Sequence, residues 1–296
     1  MKAPSKTPKS HNRAGKHAKG QTGKPSRLSW HTAFISAIQM ELMEYRGSLE
    51  FIPEFQLTTE PLRIDCVIIK KPKGVVIKKN IADIFREVNL LEYKSPGRNV
   101  SVTDFYKVYA YACLYASLKE TPITSLTVTF VVGRHPGRLL EHLTDGRGYT
   151  VEETGPGIYT VIGDVMPIQI IDNRRLSADD NLWLEGLGKR LDPLEVIRLG
   201  DKAAKLPKVL VKPYFYIITR ANFEAIEEAM NMSSAAKSLE EVLERTGCYA
   251  RAEERKSLKI AKKLVNLGYP LDDIAYATEL EPEKIRELNK QKFNKP

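Results

Sequence analysis

The chain has 296 residues, is 42% hydrophobic and carries a formal net charge of +9. That is enough apolar material for a real core, and length for about two domains. The three cysteines, Cys66, Cys113 and Cys248, are scattered and form no CxxC, which argues against a disulfide framework or a zinc ribbon. No apolar run reaches transmembrane length and no apolar segment of secretory type opens the chain, so a reducing, cytoplasmic setting without a membrane partner is expected.

The charge is unevenly placed. Residues 1–28 hold eight of the basic residues, from Lys2 to Arg27, and no Asp or Glu precedes Glu41. Such a segment, nearly free of apolar side chains, is expected to be disordered. It can attract phosphate backbones without sequence preference, or simply keep the chain in solution.

From Trp30 the pattern changes. Trp30, Phe34, Ile38 and Tyr45 share one face at helical spacing, which predicts an amphipathic helix over Trp30–Arg46, ended by Gly47. Leu49–Thr58 alternates as a strand, and Pro53 within it predicts an edge position or a bulge. Arg63–Lys70 predicts a second strand, and Lys71-Pro72-Lys73-Gly74 a turn. Val75–Ile84 is ambiguous, a short strand followed by a helical turn. Phe85–Ser95 predicts a third strand, broken by Pro96-Gly97. Thr103–Leu118 predicts a helix capped by Thr103 or Ser101. Leu126–Val132 is wholly apolar, as a buried strand is. Beyond it, two short strands are expected around Gly155-Pro156-Gly157 within Gly148–Asp172. Helices follow over Ser177–Arg190 and Asp192–Lys205, and a last strand over Val209–Ile218. From Ala221 to Lys290 nearly everything reads as helix. This order predicts an α/β (α+β) sheet with helices on its faces.

Chemistry concentrates in Glu92-Tyr93-Lys94 of the third strand. Side chains two apart on a strand point to the same face, so Glu92 and Lys94 project together while Leu91 and Tyr93 face the other way. Asp65, on the neighbouring strand, can reach that pair. Charges on a strand this apolar need a partner or a task. Mg²⁺ (or Mn²⁺) is held by one or two carboxylates plus waters and phosphate oxygens, and Asp65 and Glu92 can supply the carboxylates. Lys94 can supply a cation beside an attacking water and a scissile phosphate. Glu41 falls within the apolar face of the first helix, an unusual place for a carboxylate that neither pairs nor binds metal. Asp83 is a rival for the first aspartate, but it stands close to Glu92 in sequence and reads as part of the same strand, which favours Asp65.

Asp65, Glu92-x-Lys94 and the preceding helix with Glu41 resemble the PD-(D/E)XK nuclease superfamily. Together with the following Tyr- and Lys-bearing helix and the helical C-terminus, they resemble its Rpn-type recombination-promoting, transposase-like nucleases. The resemblance covers roughly residues 30–135 and departs from the pattern at Ile64, where proline commonly precedes the aspartate. It implies a restriction-endonuclease-like central mixed sheet over residues 29–175, with a mainly helical region over 176–296. It also implies metal-dependent cleavage of DNA linked to recombination or transposition. Asp65, Glu92 and Glu41 would bind Mg²⁺ or Mn²⁺, and Lys94 would act in catalysis. Lys107 takes the place of a helix residue that relatives use beside the site; its alternative is an ordinary solvated lysine. The competing reading of the whole constellation is a non-catalytic nucleic-acid or protein-interaction module on the same fold.

Tyr111 and Tyr115 share a helix face with Val108 and are expected to pack, leaving Tyr106 or Tyr109 as candidates for base stacking. At the C-terminus, Gly268 is placed to end a helix and Pro282 to start one. The apolar spacing of Ile274, Leu280 and Ile285 resembles a helix-turn-helix. Glu279 at its turn, and Glu281 and Glu283 at the start of its second helix, favour a packing or partner module, including a homo-oligomer contact, over a reader of DNA.

Overall fold

The structure, a computed structural model, describes residues 30–56, 63–70, 75–232 and 236–293. The basic N-terminal segment and the predicted turn at residues 71–74 lie outside them. A seven-stranded mixed sheet forms the centre, in the order β1-β2-β3-β4-β7-β6-β5. Its strands are β1 (Leu49–Gln56), β2 (Arg63–Lys70), β3 (Val88–Lys94), β4 (Leu126–Val132), β5 (Thr150–Gly155), β6 (Ile158–Ile162) and β7 (Ile168–Asp172). The middle three, β3, β4 and β7, run parallel; the outer strands join them as antiparallel wings.

Composition explains the order. Every residue of β4 and β7 is buried, as befits parallel strands covered on both faces. Pro53 sits on edge strand β1, where a missing N–H costs no ladder bond. The register there is unbroken on either side, Pro53↔Cys66 and Phe55↔Ile64, with Glu54 between them at φ 47°. The expected edge is present, and the irregularity is one left-handed residue opposite Asp65.

Helix α1 (Trp30–Glu41) covers one face of the sheet, and α2 (Val102–Leu118) covers the other. Leu91 and Tyr93 of β3 join the α1 side, where the Tyr93 ring stacks on Phe34 at 4.7 Å between centroids. Leu90 joins the α2 side with Phe105, Val108, Tyr111 and Tyr115. Tyr111 and Tyr115 are thus packing residues. Helix α2 starts in a full capping box, with Ser101 as the cap and Asp104 as its reciprocal partner. The short α3 (Gly137–Glu141) follows β4.

Two expectations are corrected. Gly148–Asp172 contains three strands where two were expected, and the third, β7, is one of the three parallel strands at the middle of the sheet. Val209–Ile218 is no strand: it lies within α6 (Lys208–Ala221). Its buried residues come as Leu210/Val211, Tyr214/Phe215 and Ile217/Ile218, a helical period that buries one face and leaves Val209 exposed.

The remaining helices are α4 (Ala178–Glu185), α5 (Pro193–Ala203), α7 (Phe223–Asn231), α8 (Lys237–Thr246), α9 (Cys248–Leu267), α10 (Leu271–Thr278) and α11 (Pro282–Phe293). Helices α4 to α8 share one continuous core with α1. The end of α9 packs with α10 and α11 around Ala261, Val265, Ile274, Leu280 and Ile285 as a separate small core. Gly268 ends α9 at φ 85° and Pro282 opens α11, as expected; Glu279 takes a left-handed φ of 54° between α10 and α11. Among the described residues no helix is long and apolar enough to cross a membrane.

Helices α5 and α8 touch at Gly200, where an added Cβ would stand 2.6 Å from the Leu239 backbone. Gly200→Ala is therefore expected to force the two helices apart at a cost of about 1–3 kcal/mol. Thermal unfolding monitored by circular dichroism should show a midpoint lowered by several degrees; an unchanged midpoint would contradict this packing.

Candidate functional site

The antiparallel register that pairs Cys66 with Leu91 puts Asp65 opposite Glu92. The two strands part at this point. The Tyr93 amide donates at 2.8 Å to Oδ2 of Asp65. A side chain thus stands in for the ladder's next backbone acceptor. The other oxygen, Oδ1, lies 3.1 Å from Nδ1 of His31, at the start of α1. The His31 ring in turn meets the edge of Tyr93, at 6.0 Å between centroids.

Glu92 is buried, 8% exposed, on the face of β3 that looks toward α2. Its Oε1 accepts from Lys94 Nζ at 2.8 Å. The same ammonium lies 3.0 Å from Oδ1 of Asp104 in the first turn of α2. Glu92 and Lys94 thus project together, as the strand period predicts. Asp104 does two things: it receives the Ser101 amide and hydroxyl in the capping box, and it fixes Lys94.

The electrostatics follow from this crowding. Burial raises the Glu92 carboxyl above its usual range, and the neighbouring Asp65 charge raises it further, against Lys94 and Lys107. Burial pulls the Lys94 ammonium down, but Glu92 and Asp104 outweigh it and the net shift is upward. For Asp104, burial is outweighed by the Ser101 bonds and Lys94, and its pKa falls. The hydrogen bond to Asp65 raises the His31 pKa against the pull of burial.

Lys107 reaches the site through its field alone. It is exposed on α2, its Nζ stands 5.4 Å from the Tyr111 ring centroid, and its charge stabilises ionised Glu92. Asp83 is exposed, follows a short 3₁₀ turn and is no part of β3.

Glu41 is not brought to this group. It is buried, as its place in an apolar stripe implied, but at the far end of α1. It stands ten residues beyond His31, or about 15 Å along a helix axis. Its Oε1 accepts from the amides of Trp183 at 2.6 Å and Leu184 at 3.1 Å, and Oε2 pairs with Lys79 at 2.9 Å. Those amides need an outside acceptor because α4 is kinked at Asn181 (φ −138°, ψ 49°). Glu41 thus ties α1 to α4 beside a cavity of about 800 Å³ whose walls include Lys79, Asp180 and Trp183.

Sequence reasoning missed His31 and Asp104. Asp104 carried a readable signal, since Ser101-x-x-Asp104 is a capping-box spacing. His31 carried none: nothing local says that it meets a strand 34 residues away. Tyr106 is hydrogen-bonded to His142 at 3.0 Å, and Tyr109 to the buried Asp164 at 3.0 Å. The Arg147 guanidinium lies over both tyrosine rings.

For a divalent cation, the donor set is two carboxylates. Among the described residues, no group of three or more His, Cys, Asp or Glu side chains is arranged to hold a metal. Two hard oxygen donors, one of which raises the pKa of the other, still suit Mg²⁺, which completes its octahedron with waters. In comparisons with known proteins, no family model, no curated protein and no solved structure matches the chain.

Two outcomes follow. The raised pKa of Glu92 means that its charge opposes folding at neutral pH. Glu92→Gln keeps an acceptor for Lys94 and is expected to raise the melting midpoint by about 2–4 °C, roughly 1 kcal/mol. A lowered midpoint in differential scanning calorimetry would contradict that. For His31 the folded pKa is raised, so the contribution of its Asp65 bond is full below the unfolded value of about 6.5 and fades as pH rises through the folded one. The midpoint difference between wild type and His31→Gln should therefore be largest near about pH 5.5 and shrink toward alkaline pH. A difference independent of pH would remove this pair from the account.

Proposed function

We propose that this chain is a metal-dependent nuclease that hydrolyses phosphodiester bonds of DNA. The observation that carries the reading is that Asp65 stands opposite Glu92 where β2 parts from β3, near enough for its charge to act on Glu92, while Lys94 is bonded to Glu92. Asp65 and Glu92 would hold Mg²⁺ or Mn²⁺. When bound, the cation polarises the scissile phosphate and acidifies a water. The chain's own groups supply the rest. His31 and the Tyr93 amide fix the orientation of Asp65. Asp104 and Glu92 hold the Lys94 ammonium in place, where it can neutralise charge that builds on the phosphoryl oxygens. Lys107 adds positive field at the mouth of the site. Its neighbours Tyr106 and Tyr109 are already engaged by His142 and Asp164, so base stacking has no part in this reading.

A cytoplasmic protein that acts on DNA in recombination or transposition fits this reading, and so does self-association through α9 to α11. The mixed sheet flanked by helices and the positions of Asp65, Glu92 and Lys94 support kinship with PD-(D/E)XK nucleases; Glu41 does not.

One observation favours a second reading, a non-catalytic nucleic-acid or protein-interaction module. Lys94 is already neutralised by two carboxylates, and Asp65 is engaged by His31. A closed set of ion pairs is also what a retired site looks like.

Cleavage decides between them. Purified protein is incubated with plasmid and single-stranded DNA in Mg²⁺, Mn²⁺ or EDTA. Wild type is expected to cut with either metal and not with EDTA. Glu92→Ala and Lys94→Ala should each slow cutting by on the order of 10²–10³-fold. Glu41→Gln, remote from the site, should still cut. Folded wild type that cuts neither substrate would overturn the reading as a DNA nuclease and leave the non-catalytic module in its place.

A further inference from the structure

A second basic region lies away from Asp65 and Glu92, in the helical half. A cleft of about 630 Å³ opens between the α6–α7 junction and α9. Its walls carry Arg190, Arg220, Arg255, Lys256 and Lys259, five cations, against one carboxylate, Glu224. Three of the cations are held against aromatic rings that keep them in place. Arg220 and Arg255 approach the Tyr216 ring at 5.2 and 6.0 Å. Lys256 sits 4.7 Å from the Phe223 centroid and pairs with Glu227. Arg190 enters from the loop after α4 in a left-handed conformation, φ 70°, which a non-glycine residue adopts only at a cost.

The basic surface does not stop at the cleft. At 100° per residue, Arg251, Arg255, Lys259 and Lys262 fall on one side of α9, and all four are exposed. Arg251 to Lys262 spans about 16 Å of helix axis. The acidic residues of that stretch, Glu253 and Glu254, fall on other sides, and Glu254 pairs with Lys284 of α11. A row of cations of that length suits a ligand whose negative charge repeats, rather than a single phosphate group.

We propose that the cleft and the basic side of α9 bind the sugar-phosphate backbone of a nucleic-acid strand. The choice of polymer rests on the nuclease reading; the site itself does not. Nucleic acid held here would be held by its backbone, without base recognition. The Phe223 ring is already stacked on Tyr249, at 5.5 Å and 16°, and offers no free platform to a base.

The test is binding of a labelled single-stranded 20-mer to the full-length protein by fluorescence anisotropy. It is run in EDTA over a series of salt concentrations, for wild type and Arg255→Ala/Lys259→Ala. Both residues are exposed, so the double variant is expected to melt like wild type. The N-terminal basic segment is common to both proteins and drops out of the comparison. The variant should bind about tenfold more weakly, with a log–log salt slope shallower by roughly 1.4, two phosphates at about 0.7 each. Inorganic phosphate and vesicles of one part phosphatidylserine to three of phosphatidylcholine are the competing ligands. Displacement of the 20-mer by millimolar phosphate, or capture by the vesicles that the variant loses, would overturn the assignment to a strand. So would unchanged affinity and slope in the variant. A protein that binds through this cleft but never cuts DNA upholds the groove and sinks the nuclease. One that cuts while the variant binds like wild type does the reverse.

Discussion

The physical constraint around which the site is built is the burial of a carboxylate on β3, two residues from a half-buried lysine. Six of its seven residues are buried, and one of them is Glu92. A lone carboxylate there would cost several kcal/mol, so the surroundings must answer it. Lys94 answers from the same strand face. Asp104 answers Lys94, and can do so because Ser101 begins α2 at that point and not a residue later. The capping box that starts the crossover helix is thus also the clamp on the site's cation. Asp65 adds a like charge across the strand gap, and His31 holds its outer oxygen from α1. Local helix capping, strand register and site electrostatics are one set of bonds here.

The opposite end of α1 solves a separate problem with the same means. Glu41 is a buried carboxylate that accepts two amides freed by the kink in α4 and meets Lys79. Burial raises its pKa, and Lys79 with the two amides works against that rise. It binds the sheet-covering helix to the helical half of the molecule. This bond helps to explain why one core runs from α1 through α8 without a break at the end of the sheet.

Much of this was legible in the sequence, and the limits have physical causes. Strands β2 and β4 were readable to the residue, because their apolar runs are bounded by charge, turn residues and proline. The Glu92/Lys94 side of β3 followed from a period of two. Glu41 was legible as a carboxylate in an apolar stripe, but its assignment to the metal site with Asp65 and Glu92 is not what the structure brings together. Which partner it has depends on Lys79 and on a kink about 140 residues away, and no local pattern encodes that. The same holds for His31. The strand expected at Val209–Ile218 is a different kind of miss. Val209-Leu210-Val211 is β-rich in composition, but the paired spacing of the buried residues through Ile218 is helical, and period outranks propensity over that length. Strand β7 was hidden among short hairpin strands because a fully buried parallel strand shows no alternation.

The paired state of Lys94 bears differently on the two functional readings than its closed geometry first suggests. Lys94 has two carboxylate partners, one buried and one partly exposed. If a ligand takes Glu92, the ammonium keeps Asp104 and its position. Its charge is then no longer shared with the strand and faces whatever anion has arrived. A lysine whose sole partner was Glu92 would be released to solvent at the moment it was needed. The second carboxylate, supplied by a helix cap that is required in any case, makes the cation's place independent of the state of Glu92. A retired site needs no such redundancy. On the proposed nuclease reading, removing Asp104 alone, while Ser101 still caps α2 through its hydroxyl, is then expected to weaken cleavage more than it weakens folding. Asp104→Asn keeps an acceptor for the cap and removes one of the two negative charges that face Lys94. A cleavage rate for that variant equal to wild type, at equal melting midpoint, would show that Lys94 does not depend on its second partner.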